Sequence, residues 1–331
     1  MSRTLFNLCF AAVFLTGPAY ADRPQVAVDI APVHSLVAQV MDGIAAPDLI
    51  IQPGATPHEY SLHPSEATAL QRADIVFWIG PDLTPWLAEA IETLAPTAAL
   101  TPLLDVDGAI QLEFRDNAVF KAHDHSNHDD QGGHADHDDP ADHDDHNDQD
   151  DHDGHDVHGA HDPHAWLSPK NAMTWLDVIA SRLSDLDPVN SDAYLANAAS
   201  GRAAIEVLMD DVETTLAAVR GREFIVFHDA YQYFETDFDF PASGAISMSD
   251  ASDPSPARIA EIQGEIAEHG VSCVLAEPQF NPGLVTTVLR GSDARMGIAD
   301  PLGAELELGP KFYPQLIRSL SRALTECMRS D

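Results

Sequence analysis

Seventeen histidines stand in this 331-residue chain, and their spacing divides them into two kinds. Eleven lie between Lys121 and Pro163: His123, His125, His128, His134, His137, His143, His146, His152, His155, His158 and His161. They are mixed with fifteen aspartates and a single lysine. Neutral imidazole is a good ligand for Zn2+, Cu2+ and Ni2+, and carboxylates add charge and oxygen donors. The repeated His-Asp-x-His and His-Asp-Asp-His spacings let a flexible backbone wrap two or three ligands around one ion. The segment holds no aromatic residue, and Val157 is its one aliphatic residue larger than alanine. It cannot bury enough apolar surface to offset the entropy of ordering, so it is expected to be disordered and to bind metal loosely. A solvated acidic spacer would need no histidines. Because imidazole titrates at about pH 6.5, the loop's metal affinity should fall below about pH 6.

Three other histidines each follow a strand-like run. His58 falls in Pro53-Gly54-Ala55-Thr56-Pro57-His58-Glu59-Tyr60, His164 in Asp162-Pro163-His164-Ala165-Trp166-Leu167, and His228 in Phe227-His228-Asp229-Ala230-Tyr231. In open α/β sheets ligands gather outside the carboxyl ends of strands. Metal-bound histidines hand their second N–H to an oxygen, and Asp229 is the expected acceptor for His228. His63, before Pro64, reads as a cap or a solvent-facing residue, and His34 as a residue of a helix start.

The elements that must position these side chains alternate. Gln25 to Ile30 reads as a short strand, and Leu36, Val37 and Val40 set a helical period closed by Asp42-Gly43. Asp48 to Gln52 reads as extended, and Ser65 as the cap of a helix through Leu70. Ile75 to Gly80 is a continuous apolar run of the kind buried on both faces of a parallel sheet. Phe224 to Phe227, Ser272 to Ala276 and Arg295 to Ala299 repeat the habit, with helices over Pro256 to His269 and from about Tyr313 to Met328. This alternation argues for an α/β layer architecture. Between the halves, apolar residues at Leu195, Ala198, Ile205, Leu208, Met209, Val212, Leu216 and Val219 predict one long helix over 188–220, capped by Asp187. The competing reading is two helices broken at Gly201.

Composition narrows the setting. Seventeen Lys and Arg against 54 Asp and Glu give a formal charge of −37, which repels nucleic acid and anionic lipid and attracts cations. Arg3, the apolar run Leu5 to Leu15 and Ala19-Tyr20-Ala21 read as a signal peptide over 1–21, cleaved after Ala21. That run is shorter than the roughly 20 residues a membrane span needs. The remaining length suits two domains, an N-terminal one over 22–187 and a C-terminal one over 221–331. Cys273 and Cys327 are the cysteines left after cleavage. In an oxidising compartment they suit a disulfide, with two buried thiols as the alternative.

The combination Pro-Gly-x-x-Pro-His-x-Tyr-x-Leu, Asp-Pro-His-x-Trp-Leu-Ser-Pro, Phe-His-Asp-Ala-Tyr and Glu-Pro-Gln-Phe resembles the zinc-specific periplasmic solute-binding proteins of ZnuA type. The similarity runs along the whole mature chain, and the acidic insertion over 121–163 falls where that family carries one. The resemblance implies two α/β lobes, each with a four-stranded parallel sheet, joined by one long rigid helix. It implies a monomer that binds Zn(II) between the lobes through His58, His164 and His228. It also implies a Cys273–Cys327 disulfide, and periplasmic delivery to the membrane permease and ATPase of an ABC importer. Manganese-binding relatives place a glutamate where His228 stands, and three imidazoles suit zinc better than manganese. For the fourth position the resemblance points to Asp300, with water, Glu59 or a loop histidine as alternatives.

Two other functions fit parts of the pattern. Three histidines with an open position also describe catalytic zinc. Yet His58-Glu59-Tyr60-Ser61-Leu62-His63 has one residue too many for H-E-x-x-H, and Pro57 and Pro64 disfavour a helix there. A metal buffer or adhesin-like protein working without a transporter is the other. Deleting residues 123–161 is expected to remove several weak zinc sites and leave one tight site. Titration calorimetry that found no tight site in the deletion would overturn the division of the histidines.

Overall fold

Two parallel sheets arise from the alternation of buried strands and amphipathic helices. The computed structural model describes residues 23–115, 119–120, 161–248, 254–280 and 282–329. The expected signal peptide lies outside the described residues, as does the acidic loop apart from its last three residues. In the first sheet β1 (Val26–Val28), β2 (Asp48–Leu49), β3 (Ile75–Trp78) and β4 (Ala99–Pro102) stand in the order β2-β1-β3-β4. In the second, β5 (Phe224–His228), β6 (Gly244–Ser247), β7 (Cys273–Ala276) and β8 (Arg295–Ile298) stand in the order β6-β5-β7-β8. Every pairing within the two sheets is parallel, with Val26 opposite Ile75 and Phe224 opposite Cys273. The two orders are the same pattern repeated, so each sheet has one switch point, between its first and third strands.

The helices are α1 (Ala31–Val40), α2 (Pro64–Arg72), α3 (Pro85–Leu94), α4 (Pro169–Leu186), α5 (Ser191–Ala217), α6 (Gln232–Phe238), α7 (Pro256–His269), α8 (Pro282–Val288) and α9 (Phe312–Met328). Their starts follow local chemistry. Ser168 and Ser255 accept the N–H groups of Asn171 and Arg258, and proline follows each serine at the first helical position. α2 begins two residues earlier than the Ser65 cap predicts: His63 is the N-cap, and the Glu66 carboxylate accepts its backbone N–H at 2.7 Å. Asp187, expected to cap the long helix, ends α4 instead, and a 3-10 turn over Pro188–Asn190 precedes α5.

α5 runs unbroken for 27 residues, about 40 Å at 1.5 Å per residue. Tyr194, Ala198, Gly201, Ile205, Leu208, Val212 and Leu216 form its buried face. Leu195, expected on that face, is exposed, because Tyr194 takes the inward position one residue earlier. Gly201 does not break the helix. A Cβ there would stand 2.9 Å from the side chains of Gln39 in α1 and Leu176 in α4, so the glycine permits close helix packing. One continuous apolar core joins residues of both sheets with α4, α5 and α9. Among the described residues no helix is long and apolar enough to cross a membrane.

The Cys273–Cys327 disulfide ties the start of β7 to the end of α9. Gly297 in β8 sits against it: a Cβ there would meet Cys327 Cβ at 2.8 Å and Sγ at 2.9 Å. Gly264 in α7 faces open space. Gly297→Ala is therefore expected to cost about 1–3 kcal/mol of stability by overpacking. Gly264→Ala should gain about 0.5–1 kcal/mol from helix propensity. Chemical denaturation of both variants checks the contrast, and equal midpoints would contradict it.

Candidate metal centre

β5 delivers His228 at its carboxyl end, and the turn before a 3-10 segment (Ala165–Leu167) delivers His164. Both rings are buried, His228 to 3% and His164 to 6% exposure. Each is held from behind by a buried carboxylate. His228 Nδ1 lies 2.6 Å from Glu277 Oε1, and His164 Nδ1 lies 2.7 Å from Asp162 Oδ1. The same Asp162 oxygen accepts the His164 backbone N–H at 3.0 Å, and Gln279 holds the other Glu277 oxygen at 2.7 Å. With carboxylates as acceptors, Nδ1 carries the proton on both rings and Nε2 is left as the nitrogen available to a ligand.

The two Nε2 atoms stand 3.4 Å apart. Two imidazoles on one tetrahedral zinc, with bonds of about 2.0–2.1 Å, would place their nitrogens roughly 3.3–3.4 Å apart. The pair is already at chelating distance. The third ring is less advanced. His58 is half-buried, in the loop between β2 and α2, with its ring centroid 5.8 Å from that of His164. Among the described residues no group of three or more His, Cys, Asp or Glu is drawn up tightly enough to enclose an ion. The loop carrying His58 is anchored by the Trp86 indole N–H, which donates to the Pro57 carbonyl at 2.8 Å. Tyr60 packs on Trp86 and donates its hydroxyl to Glu66 at 2.8 Å.

All three histidines line one cavity of about 250 Å3, and Asp300 is in its wall. The Asp300 carboxylate accepts N–H groups from Leu302 and Gly303 at 2.9 Å each and from Ala304 at 2.7 Å. Those bonds shape the loop and leave acceptor capacity on Oδ2. Trp166 pins this loop to the His164 turn by donating to the Pro301 carbonyl at 2.8 Å. Glu59 is exposed and does not line the cavity.

Burial pushes the Asp162 carboxyl up to about 7, opposed by the His164 N–H and the nearby Arg115 charge. Asp229 is also raised by burial, with the Arg115 hydrogen bonds pulling the other way.

Two expectations change. Asp229 does not support His228. Successive side chains of an extended segment point to opposite sides, so Asp229 turns away from its neighbour and pairs with Arg115, at 2.9 Å from Nε to Oδ2. Glu277, 49 residues on, takes the place expected of it. The acidic loop expected over 121–163 also ends earlier, because Asp162 and Pro163 are buried parts of the frame. Of the loop histidines, His161 does not line the cavity; its Nδ1 lies 3.5 Å from Asp82. His123, His125, His128, His134, His137, His143, His146, His152, His155 and His158 lie outside the described residues. Sequence reasoning missed Glu277 and Asp162 as supports, although both sit inside the motifs it singled out. His34 is buried in α1 against the Pro47 carbonyl at 3.2 Å, away from the cavity.

Known proteins bear on this cavity. The family model for the zinc-uptake complex component A periplasmic proteins, ZnuA, matches residues 26–327. The chain is 43% identical to the high-affinity zinc uptake system protein ZnuA of Brucella abortus, covering 98% of this chain and 99% of that one. It is 42% identical to the protein so named from Paracoccus denitrificans, covering 98% of each. Among solved structures, a crystal structure of ZnuA superposes with a TM-score of 0.72 at 20% identity, covering 93% of this chain and 100% of that one.

Asp162→Asn and Glu277→Gln should each weaken Zn2+ binding about 10–100-fold, the usual cost of losing a partner behind a metal-bound histidine. Competition against a chromogenic chelator measures this. Unchanged affinity in both variants would strip the carboxylates of that role.

Proposed function

The chain belongs to the ZnuA family of periplasmic zinc-uptake components, and from that premise we propose that His58, His164 and His228 are the ligands of its zinc. It is a zinc-binding protein of a zinc uptake system, and its family is a solute-binding one. Zinc here is cargo. The observation that carries the ligand set is the Nε2 pair 3.4 Å apart, each ring held at Nδ1 by a buried carboxylate. Three imidazoles form a borderline-soft donor set that suits Zn2+, whereas Mn2+ favours carboxylate oxygen. Asp300, in the same cavity wall, supplies the fourth ligand through Oδ2.

The finer assignments follow from this reading. Residues 1–21 direct export, and the mature protein works in the periplasm. An N-terminal lobe over 22–187 and a C-terminal lobe over 221–331 hold the ion between them, and the helix over 188–220 braces them. Because α5 packs along α4, α1 and α9, the change on binding is local rather than a wide hinge motion. His58, half-buried and on a loop, closes last on the ion and leaves first. The His/Asp-rich segment gathers zinc at lower affinity, and the monomer delivers it to the permease and ATPase of an ABC importer.

Replacing His58, His164 and His228 together with alanine should abolish the tight site while loose binding by the acidic segment persists. Equilibrium competition with a high-affinity zinc chelator separates the two classes. A triple variant that keeps the wild-type tight site would overturn the assignment.

A further inference from the structure

The segment between β4 and the acidic insertion touches Asp162, which supports His164, and Asp229, the residue after His228. At Leu112 its backbone is fixed to the His164 turn. Asp162 donates its N–H to the Leu112 carbonyl at 2.8 Å. The Tyr233 hydroxyl accepts the Leu112 N–H at 3.0 Å and donates to the Asp162 carbonyl at 2.8 Å. Three residues on, Arg115 reaches the His228 side. Its Nε donates to Asp229 Oδ2 at 2.9 Å, and its Nη2 donates to Asp229 Oδ1. Nη1 donates to Glu235 Oε2 at 2.8 Å and Nη2 to Glu235 Oε1 at 3.1 Å. The guanidinium lies 3.6 Å over the Phe120 ring, and the Phe120 N–H donates to the Ser243 carbonyl at 2.8 Å beside the Val119–Gly244 bridge.

We propose that residues 112–115 form a splint across the centre, with Arg115 the positioning residue that fixes His228 against His164. The proposal rests on the ligand set given above. One end of the splint holds the backbone of Asp162, whose carboxylate aims His164. The other holds the carboxylate of the residue after His228. The run between them is three residues of backbone, too short to stretch or shift without breaking one end. Arginine suits the task because its planar fork binds two carboxylates in fixed directions, where lysine offers one point charge. Asp229 closes β5 and Glu235 lies in α6, so the fork also sets the angle at which the strand end leaves the sheet.

The test uses the full chain with one equivalent of Co2+ as a spectroscopic stand-in for Zn2+, beside Zn2+ affinity by chelator competition. Arg115→Lys keeps the charge and loses the fork. A triple variant, Arg115→Met with Asp229→Asn and Glu235→Gln, removes the fork together with the charges it would leave unpaired. In each folded variant the Zn2+ dissociation constant should rise at least about tenfold, the low end for a lost support behind a metal ligand. The cobalt d–d bands should change in position or intensity. A folded variant with wild-type affinity and bands overturns the proposal. Weaker binding with unchanged bands does so too, because it marks lost stability alone, and so does failure of both variants to fold. If the unaltered protein lacked the bands of a nitrogen-rich four-coordinate site, the ligand set itself would fall, which is a distinct result.

Discussion

Two hydrogen bonds between buried carboxylates and imidazole Nδ1 atoms govern the cleft: Asp162 with His164 at 2.7 Å and Glu277 with His228 at 2.6 Å. Each settles a tautomer, a ring plane and the direction of an Nε2 lone pair. Without them the two rings would be buried polar groups with no reason to face each other. They carry a cost, because a carboxylate in an apolar frame loses its water. That cost is visible at Asp162, whose carboxyl burial pushes up to about 7. With the ligand set proposed above, a divalent cation at the Nε2 atoms would offset it by placing positive charge one ring away.

The sheet order explains why these groups meet. In the pattern β6-β5-β7-β8 the first and third strands are neighbours, and their carboxyl ends form the switch point. His228 ends β5 and Glu277 follows β7, so the parallel register alone brings them side by side. The first sheet repeats the arrangement with a different occupant. There Asp29 follows β1, and its carboxylate accepts the N–H groups of Ile30 at 2.7 Å and Ile79 at 2.8 Å. One switch point carries His228 and its supporting carboxylate, while the other is closed on itself as a structural knot. His228 comes from the end of a strand, whereas His58 and His164 come from a loop and a turn.

That asymmetry sets what was legible in the sequence. The strands β3, β5 and β7 were readable because both faces are buried, and α5 was readable because its apolar residues recur every three or four positions. Its start was not, since Asp187 and Pro188 carry the signals of a cap and a first turn but serve the end of α4 and a 3-10 turn. His58, His164 and His228 stood out by their motifs. The partner of His228 did not. Asp229 is adjacent in sequence, but the backbone alternation sends it to Arg115, and Glu277 reaches the ring only through strand pairing. Local sequence carries which residues can bind metal, whereas the topology decides which carboxylate aims them. Arg115 was invisible for the same reason, because its partners lie 114 and 120 residues away.

A carrier must bind tightly and still let go, and on the proposed ligand set the unequal burial of the three histidines bears on both demands. Two rings fixed at 3.4 Å between Nε2 atoms lose little freedom on binding, which favours affinity. A third fixed as rigidly would make release require the opening of a packed core. His58 instead rides on a loop that turns at Gly54, with a φ of 86°, and is tethered by Trp86 and Tyr60. Its tethers include the Trp86 indole hydrogen bond to Pro57, the Tyr60–Trp86 ring contact and the Tyr60–Glu66 hydrogen bond, none of which involves either sheet or α5. With the ligand set proposed above, withdrawing His58 would remove one ligand while His164 and His228 keep their supporting carboxylates. On the proposed ligand set, capture and release would thus divide between two histidines aimed by buried carboxylates and a third carried on a half-buried loop.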